Sequence, residues 1–142
     1  MDTALDDRPR CVLGEEIRPV LRGTLFELHA VTGPVDSGPP PHNHPWDEGY
    51  LVLDGALGVT LDGAPETVLG AGASVLVPAG ATHSYRIAAP GTRFLTCTSG
   101  DGAGRFFDDM DASTPHRVPA PEDMPAIVEV ARRNGLDSPL FG

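Results

Sequence analysis

The stretch His42-Asn43-His44-Pro45-Trp46-Asp47-Glu48 places two imidazoles and a carboxylate within seven residues, and a third imidazole, His83, follows behind Gly72, Pro78 and Gly80. Three histidines and one glutamate form a donor set for one divalent transition metal (Fe, Ni, Mn, Cu, Co or Zn). Imidazole suits these ions, and the carboxylate adds a charged oxygen. Four protein ligands in a five- or six-coordinate site leave one or two positions for water, a small-molecule substrate or dioxygen.

Such a set works only if the chain brings it together. In extended backbone, residues i and i+2 point to the same side. The prolines at 39–41 force an extended entry into His42, so His42 and His44 project together. Glu48, Tyr50 and Val52 share one face of the next strand, and His83, Tyr85 and Ile87 share one face of a later strand. With both faces turned into a barrel, the four ligands converge near one mouth.

The rest of the chain reads as the frame for that barrel. Residues 1–10 are charged and read as a flexible arm. Leu21 to Thr32 reads as one strand, stopped by Gly33-Pro34. Glu48 to Leu53 and Ala56 to Leu61 flank the hairpin signal Asp54-Gly55, and Asp62-Gly63 marks a second turn. Glu66 to Leu69, Ser74 to Val77, His83 to Ala88 and Thr92 to Thr98 follow, each bounded by glycine or proline. Short strands at this spacing predict an all-β sandwich or barrel over about 12–100. A C-terminal extension over about 101–142 follows. Its Arg105-Phe106-Phe107 cluster is expected to cap an open end of the barrel, and a helix is expected over 121–134, with acidic residues at its start, Arg132 and Arg133 at its end and Gly135 as the stop.

The 142 residues fit one domain, long enough to bury a core without disulfides. The net charge is −10, and all ten basic residues are arginine. An acidic chain without a basic stripe argues against nucleic acid or an anionic membrane as partner. No apolar run approaches the roughly 18 residues of a spanning helix, and no secretory signal opens the chain. Cys11 and Cys97 are too few for a disulfide framework and read as reduced thiols in a cytoplasmic protein.

Among the remaining residues, Trp46, Tyr50, Tyr85, Phe26 and Phe94 are the candidates for the substrate pocket, with core filling as the competing reading. Trp46 is either pocket wall or outer-face packing. His29 reads as a packed or surface histidine and His116 as a solvent-exposed one. Arg86 and Arg93 read as exposed strand arginines, and Cys97 as a buried structural thiol.

These residues resemble the cupins. The first cupin motif runs glycine, five residues, HxH, three or four residues, glutamate, six residues, glycine; His42, His44, Glu48 and Gly55 match it, with Asp36 at the leading glycine position and Gly38 two residues later. The second runs glycine, five residues, Pro-x-Gly, two residues, histidine, three residues, asparagine; Gly72, Pro78, Gly80 and His83 match it, with Ile87 at the asparagine position. The segments His44–Tyr50, Gly102–Phe107 and Ala131–Leu136 are further similar to small bacterial cupins described as quercetin-dioxygenase-like. The resemblance implies a jelly-roll β-barrel with a short C-terminal helix, a homodimer, and a metal in the barrel mouth.

With the donor set, it implies a metal-dependent dioxygenase or other oxygenase acting on an enolisable small molecule of the flavonol, phenol or diketone type. His42, His44, Glu48 and His83 would be the ligands, and Glu48 would also be the catalytic base if substrate displaced it from the metal. Two other readings stand beside it. One is a non-oxidative metal-dependent cyclase, isomerase, decarboxylase or lyase in natural-product tailoring. The other is a non-catalytic cupin that binds a small molecule.

Overall fold

Turn residues cut the chain into nine strands, as seen in a computed structural model that describes residues 6–141. The strands are β1 Arg10–Val12, β2 Glu15–Arg22, β3 Phe26–Thr32, β4 Glu48–Asp54, β5 Ala56–Leu61, β6 Thr67–Gly70, β7 Ser74–Val77, β8 His83–Ile87 and β9 Arg93–Ser99. They form two antiparallel sheets of a jelly roll, ordered β1-β2-β3-β9-β4-β7 and β6-β5-β8. The order shows what sequence spacing conceals. Strand β9 pairs with both β3 and β4, aligning Thr96 with His29 on one side and Tyr50 on the other, and Thr98 with Glu27 and Glu48. Strand alternation turns these residues inward together, and all of them are buried.

The core is Tyr50, Val52, Leu57, Val77, Ile87 and Phe94 from the two sheets, extended by Phe106, Met110 and Ile127. Burying an apolar side chain of this size stabilises the fold by roughly 1.5–3 kcal/mol. The last three come from helices α1, Gly102–Ser113, and α2, Met124–Arg133, the latter entered through a 3-10 turn at Pro121–Asp123.

The C-terminal extension therefore carries two helices, where the sequence predicts one near 121–134. Two glycines and a run of aspartates disguise α1, because both have poor helix propensity. Burial of Ala103, Phe106 and Met110 overrides that propensity. Glu27, buried inside the barrel, accepts the Gly104 amide at 2.8 Å near the start of α1. A carboxylate at that end complements the helix dipole. Asp108 of α1 pairs with Arg10 and Arg22, each at 2.9 Å.

Three other boundaries differ from the expectation. Arg10 is no part of a loose arm: it is buried, opens β1 and donates to Asp108. Residues 1–5 of the expected arm lie outside the described residues. The expected strand Leu21–Thr32 is the end of β2 and the whole of β3, joined by a turn in which Gly23 N–H donates to the Phe26 carbonyl. The barrel also begins earlier, with the β1–β2 hairpin around Leu13 and Gly14, both at positive φ.

Both departures from the cupin motifs meet at one contact. The Asp36 amide donates to the Ile87 carbonyl at 2.8 Å, and the Ile87 amide to the Ser37 carbonyl at 2.9 Å. Asp36 has φ +68, a conformation that aspartate tolerates better than most residues. Gly38 is less replaceable: its φ is +153, and a Cβ there would lie 1.9 Å from the Tyr85 carbonyl oxygen. Gly38→Ala is expected to cost at least about 2 kcal/mol, from strain and overpacking against backbone. Urea unfolding of the two proteins measures it; an unchanged midpoint would refute the close approach.

Candidate metal centre and cavity

The HxH segment is held against the strand that carries the third histidine. His42 and His83 exchange backbone hydrogen bonds, each amide donating to the other's carbonyl at 2.9 Å, and the Gly80 amide donates to the His44 carbonyl at 2.9 Å. On its other side the C-terminal tail straps the segment: Asn43 and Asp137 exchange amide bonds at 2.8 and 3.0 Å, and Ser138 Oγ donates to the Pro41 carbonyl at 2.5 Å. The extended geometry expected from the prolines is thus fixed by pairing on both sides. One ring nitrogen from each of His42, His44 and His83 lies within 4.8 Å of the other two.

The tautomers follow from the second ring nitrogen. Nδ1–H of His42 donates to the Pro40 carbonyl at 2.9 Å, that of His44 to the Trp46 carbonyl at 3.0 Å, and that of His83 to the Ala81 carbonyl at 2.8 Å. Each bond leaves Nε2 with a lone pair, the arrangement in which an outer carbonyl orients a ligand histidine. Burial, with His83 nearby, lowers the His42 pKa to about 4, so this ring is neutral at pH 7 as coordination requires.

Glu48 stands against two of these rings. Its Oε1 is 3.3 Å from His44 Nε2 and 3.2 Å from His83 Nε2, and it accepts the Tyr50 hydroxyl at 2.7 Å; Oε2 accepts Thr96 Oγ1 at 2.7 Å. Burial works against its ionisation; protonated His44 and His83, with the Tyr50 hydroxyl, would outweigh that and hold the carboxylate well below its usual range. With both Nδ1 atoms turned to carbonyls, two Nε2 lone pairs face a carboxylate oxygen. Only a doubly protonated ring or a cation between the groups relieves that repulsion. The donor chemistry of the three histidines therefore fits a divalent ion, with the Glu48 carboxylate against two of them.

His42, His44 and Glu48 open on a cavity of about 470 Å³, a size suited to a small organic ligand. Trp46 is cavity wall: it is buried and stacks on the His44 ring, centroids 4.4 Å apart and planes within 10°. Tyr50, Tyr85 and Phe94 form an edge-to-face cluster along another part of the wall, with centroids 5.1–5.8 Å apart. Phe106, Met110, Ile127 and Phe141 close the cavity, so the aromatic cluster of the extension caps the barrel as expected.

Phe26 is not a pocket residue. It opens β3 at a hairpin tip and is 52% exposed, because that strand turns Glu27, His29 and Val31 inward instead. Cys97 likewise is an exposed free thiol on the outer face, out of phase with the inward Thr96 and Thr98. His29 is packed, edge-on to Phe107 at 4.9 Å, and His116 is exposed beside Asp111. Arg86 pairs with Glu66 and Asp36, and Arg93 with Asp54. The residue that sequence reasoning missed is Glu15, buried in the cavity wall. Its signal was the alternation Glu15-x-Ile17, which shares a face with a core isoleucine.

Residues 28–96 match the family model of the cupin domain. The chain is similar to quercetin 2,3-dioxygenase of Bacillus subtilis (strain 168), 37% identical over 95 residues that cover 63% of this chain and 28% of that protein. The chain thus spans under a third of that relative's length. Among solved structures it is similar to the polyketide cyclase RemF from Streptomyces resistomycificus, with a TM-score of 0.60 and 21% identity over 92% of this chain and 99% of that one. It is also similar to the DMSP lyase DddQ from Ruegeria pomeroyi DSS-3, with a TM-score of 0.50 and 29% identity over 56% of this chain and 40% of that one.

Proposed function

We propose that this chain, whose residues 28–96 match the family model of the cupin domain, is a metal-dependent oxygenase acting on an enolisable small molecule of the flavonol, phenol or diketone type. The observation that carries this reading is the trio of imidazoles whose tautomers are set by backbone carbonyls, two of which, His42 and His44, stand at the wall of an aromatic-lined cavity. The 37% identity to a quercetin dioxygenase supports the oxygenase class and the flat, hydroxylated substrate. A divalent transition metal held by His42, His44, His83 and Glu48 would supply Lewis acidity toward a substrate oxygen and, where redox-active, reactivity with dioxygen.

The chain's own residues then divide the work. Glu48, anchored through both oxygens and held in its ionised form, belongs to the ligand set; a carboxylate so stabilised is a poor base. Trp46, Tyr50, Tyr85 and Phe94 orient a planar ligand by ring contact, and the cap from α1 and α2 excludes water.

Elemental analysis of tag-free protein, purified without added metal, tests the reading, followed by oxygen uptake with quercetin and with diketones. About one equivalent of metal and substrate-dependent oxygen uptake are expected. No metal as isolated and none after reconstitution would overturn the enzyme reading and leave a binding module. A non-oxidative cyclase, isomerase, decarboxylase or lyase is the second reading, favoured by the near full-length overlap in fold with a polyketide cyclase. Turnover under nitrogen would decide for it.

The same reading places a second copy of the chain on the outer face of the six-stranded sheet. Leu76, Gly49, Cys97, Leu28 and Leu21 lie in one cross-strand row there, with Leu51 and Leu95 in the next. Leu21, Leu51 and Leu76 are exposed, an apolar surface of the kind that copies of a chain cover by pairing. Among the described residues no helix is long and apolar enough to cross a membrane, and the two free thiols fit the cytoplasm.

A further inference from the structure

The cavity holds a second buried carboxyl that the histidine cluster does not use. Glu15, at the start of β2, is 1% exposed and lines the cavity. One oxygen accepts Ser37 Oγ at 2.9 Å, and the other accepts the Tyr85 hydroxyl. The Tyr85 ring lies edge-on to Tyr50, 5.6 Å away, and the Tyr50 hydroxyl donates to Glu48. Two tyrosine–carboxyl pairs therefore stand side by side. Tyr50–Glu48 belongs to the metal centre, and Tyr85–Glu15 carries a carboxyl elsewhere in the same cavity.

Packing alone gives no reason for an acid at this position. A buried carboxylate without a cation is costly, and the partners of Glu15 are neutral hydroxyls. Tyr85 faces it from β8 and Ser37 from the loop before β4. Glu16 on its own strand points to solvent, and Arg86 of β8 is engaged outside with Glu66 and Asp36. Burial, partly offset by Tyr85 and Ser37, pushes the Glu15 carboxyl up to about 7. Each ionised oxygen accepts only one hydrogen bond and retains capacity for another from a ligand.

We propose that Glu15 is the proton acceptor of this cavity, taking the proton from a phenolic or enolic O–H of a flat aromatic substrate whose reacting oxygens sit at the histidine cluster. The proposal rests on the enzyme reading given above. In the step, the substrate O–H bond breaks, its electron pair stays on oxygen as a phenolate or enolate, and a new O–H bond forms on the Glu15 carboxylate. No oxidant or reductant is consumed, and the proton later passes to product or water. The match in acidity favours this substrate class: a phenol near 10 lies about three units above Glu15, within reach of general-base transfer, whereas it lies nearly six above an ordinary glutamate.

The test uses quercetin as the probe, mixed under nitrogen at pH 8 with the full-length protein as isolated and with Glu15→Gln, a near-isosteric variant. In the parent protein, quercetin absorption should shift to that of its anion, while the protonated-carboxyl band of Glu15 returns in infrared difference spectra. Glu15→Gln should lack that band, and its anion should form about 10²–10⁴-fold more slowly. Ser37→Ala, which removes one hydrogen bond that favours ionisation, should move the infrared titration of Glu15 to higher pH. Equal rates of anion formation in the parent and Glu15→Gln would overturn the proposal. So would a quercetin spectrum that neither protein perturbs, and the metal content of the same samples then judges the enzyme reading separately.

Discussion

Replacing His83 with alanine is expected to leave a folded protein that no longer holds stoichiometric metal. His83 is the hub of the cluster: its ring centroid is 4.4 Å from that of His42 and 4.7 Å from that of His44, and its Nε2 is 3.2 Å from Glu48. The substitution spares the backbone bonds between residues 42 and 83, so the HxH segment stays in register. Losing an outer hydrogen-bond partner of a ligand costs about 10–100-fold in metal affinity; losing the ligand itself should cost more. Linkage gives a second readout. An ion at about 1,000 times its Kd stabilises the native state by about 4 kcal/mol, which for a chain of this size is a melting shift on the order of 10 °C. Chelator should lower the melting temperature of the parent by that order and leave His83→Ala nearly unmoved. A full equivalent of metal in His83→Ala, measured by elemental analysis, would remove His83 from the ligand set. Melting of the parent that ignores both metal and chelator would remove the site.

Much of the candidate metal centre was legible because it is local. HxH in extended backbone, glutamate four residues on, and a histidine behind Pro78 and Gly80 are each short-range patterns whose geometry follows from strand alternation. The turn signals likewise set β4 to β9 to within a residue or so. What escaped depends on contacts distant in sequence. Strand β3 has an apolar side in Phe26, Leu28 and Ala30, yet it buries Glu27, His29 and Val31, because the Gly104 amide of α1 and Arg22 of β2 provide partners for the Glu27 carboxylate. Helix α1 was hidden by glycines that local propensity counts against it. Gly104 is required there because a Cβ would lie 2.4–2.7 Å from Arg22 and Glu27. Glu15 escaped for a related reason: a glutamate in a charged-looking hairpin is read as solvated until the opposite sheet supplies Tyr85.

Between pH 4.5 and 6.5, Glu15 and His29 are expected to pull stability in opposite directions, and Glu15→Gln should expose the slope that Glu15 conceals. Burial raises Glu15 from 4.5 to about 7. As pH rises through this window the unfolded chain ionises first, the folded state keeps the proton, and stability is lost until about pH 7. His29 behaves inversely. Burial, reinforced by Arg22, lowers it from 6.5 to about 4. As pH falls from 6.5 the unfolded chain gains the proton first, so stability is lost towards pH 4. Each contribution has a slope of about 1.4 kcal/mol per pH unit, and the signs cancel where the windows overlap. In the chelated protein, Glu15→Gln should therefore gain stability relative to the parent as pH rises, by up to about 3 kcal/mol at pH 8, with little relative change below pH 4.5. His29→Asn should tilt the curve the other way. Urea unfolding across this range reads both slopes, and His42 and Glu48 drop out because they are common to every protein compared. Parallel curves for the parent and Glu15→Gln would show that Glu15 ionises in the folded state as easily as in water. A divergence of the expected sign means that at neutral pH the fold tolerates an acid that weakens it. A carboxyl in a ligand-sized cavity that lowers stability without improving packing marks a group retained for chemistry.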